Sequence, residues 1–220
     1  MAVYKIFPEK DTTIYSAFPY TNTGRDEIIE TSTNPDIFTG SNGPQTSRIL
    51  IKFSDSQIND VITNKVLGNS FNVYLKLFLA NASNIPLDYT IFCYPLSQSW
   101  DMGTGKYGDD PITTDGASWK TPRYSGSSFW YTTLGNYATA SYISSNIGGG
   151  VWYTGSSTLN PVASQSFNYI TSKDIILNVT NAINLFVSGT IPNNGFILKK
   201  QDSLEFNSSS YFDLKYYMQD

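Results

Sequence analysis

Short apolar segments separated by turn residues run through most of this chain, and they constrain its fold more than any other feature. Residues 72–80 show the pattern most clearly, because valine or leucine occupies every second position from 73 to 79. A period of two is typical of a half-buried β-strand. Aromatic residues make up 15% of the chain, and their side chains favour strands over helices. The sequence therefore predicts an all-β fold.

The same patterns predict the other elements. Strands are expected within 1–15 and at 27–31, 48–53, 87–96, 129–133, 137–143, 167–170, 174–179, 196–200 and 211–217, with the strand at 87–96 as the sheet neighbour of 72–80. A capping-box pattern at 54–57 predicts a short helix over about 56–63. Apolar residues at helical spacing after Val179 predict a second short helix that Gly189 closes as a C-cap.

Many short strands, two short helices and frequent turns are typical of an antiparallel β-sandwich, jelly-roll-like in its connections. The 220 residues suit one domain with a sizeable core. No repeat or linker divides the chain. We predict a single domain over 1–220, with an elaborated uncharged loop region at about 124–172.

That loop region is the most unusual part of the composition. Its 49 residues contain no Asp, Glu, Lys or Arg, although a chain with 15% charged residues would have about seven there. Aromatic rings among Ser, Thr, Gly and Asn favour contact with a sugar, a neighbouring subunit or the sandwich itself. The candidates for an interface or a glycan-stacking platform are Trp130, Tyr131, Trp152 and Tyr153.

Four carboxylates gather in the preceding loop, which also contains Gly103, Gly105, Gly108 and Gly116. Oxygen ligands on such a loop are candidates for calcium binding, although their spacing matches no EF-hand. As a pair, two such acids would also suit a glycosidase, but nothing in the sequence raises the pKa of one above the other. The four are Asp101, Asp109, Asp110 and Asp115.

The composition argues against several kinds of chemistry. The chain has no histidine, which removes Ser-His-Asp and Cys-His catalysis and the usual zinc sites. Its formal charge of −4 does not favour nucleic-acid binding. Cys93 is the only cysteine, so an internal disulfide is impossible, and its apolar neighbours predict a buried side chain. We expect no enzyme activity and no cofactor.

Two further expectations concern location and a charged core residue. The first residues lack the apolar core of a signal peptide, and no apolar run reaches 18 residues, so neither export nor membrane insertion is expected. Arg48 begins a buried strand, and a structural ion pair with Asp55 or Asp213 is the simplest way to keep its charge there.

Several stretches, taken in order, resemble the DNRLRE family of β-sandwich domains, which are disaggregatase-related and carbohydrate-binding-module-like. The matching stretches are DTTIY at 11–15, NTG at 22–24, SRILIKF at 47–53, YLKLF at 74–78, SW at 99–100, GASW at 116–119, DIILNVT at 174–180 and NGFILK at 194–199. The resemblance covers most of the chain except about 124–165. It implies a non-catalytic sandwich whose second helix closes one end.

The lack of an export signal and the Tyr/Ser/Thr/Asn-rich composition also resemble structural proteins of tailed bacteriophages, especially those infecting marine cyanobacteria. This resemblance implies a decoration, fibre, neck or baseplate protein that is assembled in the host cytoplasm and exposed on the virion. Its partners would be other virion proteins and copies of itself. The alternative from the sandwich resemblance is a carbohydrate-binding module that recognises host surface glycans.

Overall fold

The computed structural model describes residues 2–34, 44–66, 70–86, 88–124, 126, 129–130, 138–141, 148–156, 158–207 and 211–217. The strands are β1 (Pro8–Tyr15), β2 (Ile28–Asn34), β3 (Gln45–Phe53), β4 (Tyr74–Leu77), β5 (Leu79–Ser83), β6 (Asp88–Pro95), β7 (Ala138–Ser141), β8 (Gly148–Tyr153), β9 (Ala163–Asn168), β10 (Ile175–Asn178), β11 (Phe196–Lys200) and β12 (Phe212–Tyr217). The helices are α1 (Asp55–Asp60), which a π-helical turn at Val61–Lys65 extends, α2 (Thr180–Val187) and α3 (Asp202–Glu205).

The first sheet has the antiparallel order β1-β3-β11-β6-β9. Strand β3 lies near its centre, with Ile14 of β1 opposite Arg48 and Ile197 of β11 opposite Leu50. All five residues of β11 are buried. A strand that is buried on both faces must have a layer of protein on each side of the sheet.

The second sheet consists of β2, β12 and β5, and the β4–β10 pair lies beside it. Only Phe78 separates β4 from β5, so the two strands form one nearly continuous line. The start of β3 also pairs with β2 at Thr46. Through this pair the first sheet curls over and continues into the second sheet. On the other side, the Gln165 side chain bonds to the backbone of β10, accepting from Ile176 N at 2.7 Å.

A first hydrophobic core lies between the two sheets. Inward-facing residues of the first sheet, such as Ile49 and Leu198, meet Leu75 and Leu214 of the second sheet. Helix α2 adds Ala182 and Ile183 to this core, and Gly189 follows the helix at φ +72°. This arrangement confirms the all-β sandwich and the second predicted helix with its glycine C-cap.

A second hydrophobic core lies on the outer face of the first sheet. Leu50 and Ile197 point away from the first core and pack under the long connection between β6 and β7, together with β8. The aromatic members of this second core are the four tryptophans, Trp100, Trp119, Trp130 and Trp152. We call the connection at 96–124, together with β8, the loop layer.

Some predicted elements differ from the structure. Strand β6 was expected to pair with the 72–80 region, but it pairs with β11 and β9 and so lies in the other sheet. The capping box before α1 is not formed, because Ser54 makes no side-chain cap hydrogen bond. Trp130 lies outside any strand, and residues 131–133 of that predicted strand lie outside the described residues. Strand β8 and helix α3 were not predicted. No helix in the described ranges has the length and apolar character needed to cross a membrane.

Candidate functional site

The two candidate tryptophans of the uncharged segment are core residues. Trp130 is 1% exposed and Trp152 is 4% exposed. The Trp130 indole Nε1 donates to the carbonyl of Ser118 at 3.0 Å, and Trp152 forms a β-bridge with Leu96. Neither ring presents a face to solvent, so this geometry does not support the stacking role considered for them.

The two neighbouring tyrosines give less information. Tyr153 is half-buried at the end of β8, and burial raises the pKa of its hydroxyl. Tyr131 lies outside the described residues. The stacking platform expected in this segment is therefore not found at the candidate positions that the structure describes.

A buried cluster of charges joins the first sheet to the loop layer and α3. Arg48 is 0% exposed and Glu205 is 1% exposed. Arg48 Nε and Nη2 donate to the two carboxylate oxygens of Glu205 at 2.6 and 2.9 Å. Lys199 Nζ lies 2.9 Å from Glu205 Oε2 and also pairs with Asp202 at the surface. The prediction that Arg48 pairs with Asp55 or Asp213 is wrong, because its partner in the structure is Glu205 from the unpredicted α3.

The Arg48 guanidinium is also enclosed by aromatic rings. Its Cζ atom lies 4.7 Å from the Trp119 ring and 5.3 Å from the Trp152 ring, which are cation–π distances. Its Nη1 donates to the Gly149 carbonyl at 2.5 Å. A Cβ atom at Gly149 would lie 2.5 Å from that same nitrogen, so only glycine permits β8 to approach this closely. The cluster therefore stabilises the loop layer and is closed to ligands.

The neighbouring Lys200 is buried as well. Its Nζ lies 3.7 Å from the centre of the Phe212 ring, and burial lowers its pKa to about 8, an effect that Glu205 partly offsets. Sequence reasoning missed this lysine, because two consecutive lysines at the end of a strand normally indicate a solvated surface.

The calcium candidates make hydrogen bonds within their own loop. The Asp109 carboxylate accepts from Lys106 N and Thr113 Oγ1 at 2.9 and 2.6 Å. These bonds lower its pKa. Asp115 accepts twice from Thr104, at 2.9 and 2.6 Å, with the same effect on its pKa.

The other two aspartates of this loop have different neighbours. Asp101 is 3.8 Å from the Arg123 guanidinium, and Asp110 precedes a cis peptide bond to Pro111. No group of three metal-ligating side chains occurs among the described residues. The described structure therefore does not bring these four aspartates together as one set of metal ligands.

Asn22 organises this loop and was not singled out from the sequence. It is 0% exposed, and its Nδ2 donates to the carbonyls of Met102 and Ala117 at 2.7 and 2.9 Å. Its Oδ1 accepts from the amides of Gly24 and Gly105 at 3.2 and 2.9 Å. One amide therefore satisfies four backbone groups, which is all that its hydrogen-bonding capacity allows.

A second group of charges lies on the outer face of the second sheet. Lys215 Nζ lies 3.5 Å from Glu30 and 3.3 Å from Asp213. Burial and, to a lesser extent, the nearby Asp213 raise the pKa of Glu30 to about 7, against the opposing effect of Lys215. Glu30 was not a sequence candidate, and Asp213 was considered only as an ion-pair partner of Arg48. A shifted pKa was not visible in the sequence, since it depends on the pairing of β2 with β12.

The most exposed apolar surface in this sheet lies beside that group. Tyr74, Phe78, Ile176 and Tyr217 are 51%, 58%, 50% and 59% exposed. We call these four residues the aromatic face. Their inward neighbours Leu75, Leu77, Leu177 and Tyr216 belong to the first core, so the four side chains point away from that core.

Strand pairing brings the four side chains together. Ile176 lies opposite Lys76 in the β4–β10 register, which makes Tyr74 its diagonal neighbour. The Tyr217 amide donates to the Phe78 carbonyl at 3.1 Å. Lys76 and Asn178 are exposed between the rings. The result is a flat surface with apolar rings and a few hydrogen-bonding groups.

Comparison with known proteins does not identify a relative. A scan against protein-family models finds no match, and a search of the curated proteins finds no match either.

The aromatic face was partly accessible from the sequence. The alternation at 72–80 indicates that Tyr74, Lys76 and Phe78 share one face of a strand. What the sequence did not give is the pairing that adds Ile176 and Tyr217, because those strands are distant along the chain.

Proposed function

We propose that this chain is a non-enzymatic structural protein that acts through protein–protein contacts, and that the aromatic face is one of its contact surfaces. The assembly that best suits such a chain is a phage virion, in which it would serve as a decoration, fibre, neck or baseplate component. Its partners would be other virion proteins.

The observation that carries the proposal is the exposure of four large apolar side chains on neighbouring strands. Each is at least 50% exposed, although the same strands bury Leu75, Leu177 and Leu214 in the first core. A contiguous apolar surface on a rigid sheet is the usual mark of an interaction site. Aromatic side chains are also the residues that most often dominate the energy of an interface.

The way the chain is stabilised is consistent with a particle component. With one cysteine the chain has no internal disulfide, yet it has two hydrophobic cores and a buried ion cluster. A protein exposed on a virion must stay folded outside the cell. The virion assignment itself rests on the resemblance in composition described above.

A second candidate function is recognition of host glycans at the same aromatic face. Tyr74 and Tyr217 present exposed rings, and Lys76 and Asn178 lie nearby. Sugars pack the apolar face of a pyranose on such rings while polar neighbours bind the hydroxyls. The weak affinity of one site would be raised by many copies on a particle.

Substitution of the aromatic face tests both candidates. We expect Phe78→Asp to abolish incorporation of the protein into assembled particles, because it places a charge in the centre of the contact. The matched control is Ile170→Asp, which changes an equally exposed apolar residue, 75% exposed, outside the aromatic face. Normal incorporation of Phe78→Asp would contradict the proposal.

Glycan-array binding separates the two functions. If Tyr74→Ala and Tyr217→Ala abolish binding to a defined glycan while the protein still enters particles, the face recognises glycans. Absence of glycan binding together with loss of incorporation supports the protein contact.

A further inference from the structure

The amino-terminal segment Ala2–Phe7 leads into β1 without forming a strand. It contains no helix, turn or bend. Residues 2–6 make no backbone hydrogen bond to any other residue that the structure describes. We call residues 2–7 the arm. Among the described residues, the amides and carbonyls of residues 2–6 therefore have no backbone partner.

The arm also exposes apolar side chains. Val3 is 78% exposed, and Tyr4 and Phe7 are each 47% exposed. Ile6 is the exception, because it is half-buried and packs against the first core. Ile6 therefore fixes the arm to its own sandwich, while Val3, Tyr4 and Phe7 remain exposed.

A groove runs beside the arm. Lys5, Ile6 and Phe7 line one wall, and residues 56–61 of α1 and the following turn line the other wall. Its volume is about 450 Å³, and it is open to solvent. A short extended segment that enters this groove can pair with the backbone of the arm and cover its apolar side chains.

Opposite charges lie on the two walls of the groove. Lys5 is exposed on the arm, and Asp60 is exposed on α1. Asp60 accepts a hydrogen bond from Asn64 at 2.7 Å, and no ion pair between Lys5 and Asp60 occurs in the described structure. An incoming segment that places a lysine beside Asp60 would therefore complement the charge of that wall.

We propose that the segment that occupies this groove is the arm of a second copy of the chain. Two arms that lie antiparallel form a two-stranded ladder across a twofold axis, and each contributes the backbone groups that the other lacks. Lys5 of each copy then faces Asp60 of the other. The inference is independent of the aromatic face, which is distant in sequence and belongs to the second sheet.

Charge exchange tests the pairing directly. In sedimentation velocity over a range of concentrations, we expect a dimer for the natural sequence. Lys5→Glu should weaken dimerisation at least about tenfold, because it places two acidic groups together. The double variant Lys5→Glu/Asp60→Lys should restore the affinity to within about threefold, since the charges are exchanged but still opposite.

Two further variants complete the test. Lys65→Glu makes the same charge change at an exposed lysine outside the groove, and it should leave the dimer unchanged. Lys5→Pro removes an amide from the arm and should weaken the dimer without lowering the melting temperature. If Lys5→Pro fails to fold, the charge exchange still decides the question.

The opposite results are equally clear. A natural sequence that stays monomeric at all concentrations overturns the proposal. So does a dimer that Lys5→Glu leaves intact and Phe78→Asp abolishes, since the aromatic face would then be the contact between copies. Failure of the arm proposal does not affect the particle-incorporation test of the aromatic face.

Discussion

The two sheets of the sandwich have very different outer faces. On the first sheet, Leu50 and Ile197 are completely buried under the loop layer. On the second sheet, Tyr74 and Phe78 remain more than half exposed. Both faces have large apolar side chains, so residue type alone does not distinguish them.

The difference shows that the chain covers the outer face of the first sheet with its own residues and leaves the outer face of the second sheet accessible to a partner. The loop layer brings three tryptophans onto the first sheet, and Trp130 and Glu205 of α3 join them, so that a buried arginine becomes possible there. The second sheet receives no such layer in the described structure, and its charges at Glu30, Asp213 and Lys215 remain partly hydrated. A covered face contributes to stability, whereas an uncovered face is free to bind.

The largest effect is expected on the covered face. Glu205→Gln should reduce the free energy of unfolding by about 3–5 kcal/mol, because it leaves two buried cations without their carboxylate. Urea unfolding measures the change. The matched control is Glu9→Gln, which breaks the partly exposed pair with Lys52 and should cost less than about 1 kcal/mol. Equal effects of the two variants would show that the buried cluster does not stabilise the loop layer.

The next effect concerns the loop that Asn22 organises. Asn22→Ala should cost about 2–4 kcal/mol, because four buried backbone groups lose their partner. Thermal unfolding measures this, with the exposed Asn181→Ala in α2 as a control that should change stability by less than about 0.5 kcal/mol. A melting temperature that rises in calcium would contradict a loop held by these hydrogen bonds alone.

The uncovered sheet should show a pH dependence between about pH 4.5 and 7, whereas the lowered pKa of Lys200 on the covered sheet acts only at about pH 8 and above. Glu30 has its pKa raised from 4.5 to about 7 in the folded state, so the folded protein holds this proton to higher pH than the unfolded chain. Its contribution to stability is therefore complete below pH 4.5 and is lost as the pH rises to about 7.

Glu30→Gln isolates this contribution. Relative to the variant, the natural protein should lose about 2 kcal/mol of unfolding free energy over that pH range. Urea unfolding at a series of pH values measures it, and Glu27→Gln, at an exposed carboxylate, is the control. A constant difference between Glu30→Gln and the natural protein would contradict the raised pKa.

The smallest effect on stability is expected at the aromatic face itself. Tyr74→Ser and Tyr217→Ser should each change the free energy of unfolding by less than about 0.5 kcal/mol, because the side chains are already hydrated. A loss of more than about 2 kcal/mol, measured by urea unfolding, would show that these rings are structural. The face would then cease to be an interaction candidate.

Strand patterns predicted much of this fold. The alternation at 72–80 and the apolar run at 48–53 lie in β4, β5 and β3, and the glycine C-cap follows α2 as expected. Cys93 is buried as its neighbours indicated, and burial raises the pKa of its thiol. These features depend on neighbours in sequence, for which local patterns are informative.

Other features were wrong or missed because they depend on distant contacts. The partner of Arg48 comes from a four-residue helix 157 positions away along the chain, and three consecutive glycines gave no strand signal for β8. The tryptophans were candidates for an exposed platform because an uncharged aromatic segment looks the same whether it covers a sheet or binds a ligand.

By itself the sequence determined the class of fold and the buried side of most strands, since the period of apolar residues decides which side of a strand must face a core. Only the tertiary structure decided which outer face is covered, because that depends on where a long connection folds back. It also decided where the exposed rings lie, since Phe78 and Tyr217 become neighbours only when β12 bonds to the chain between β4 and β5.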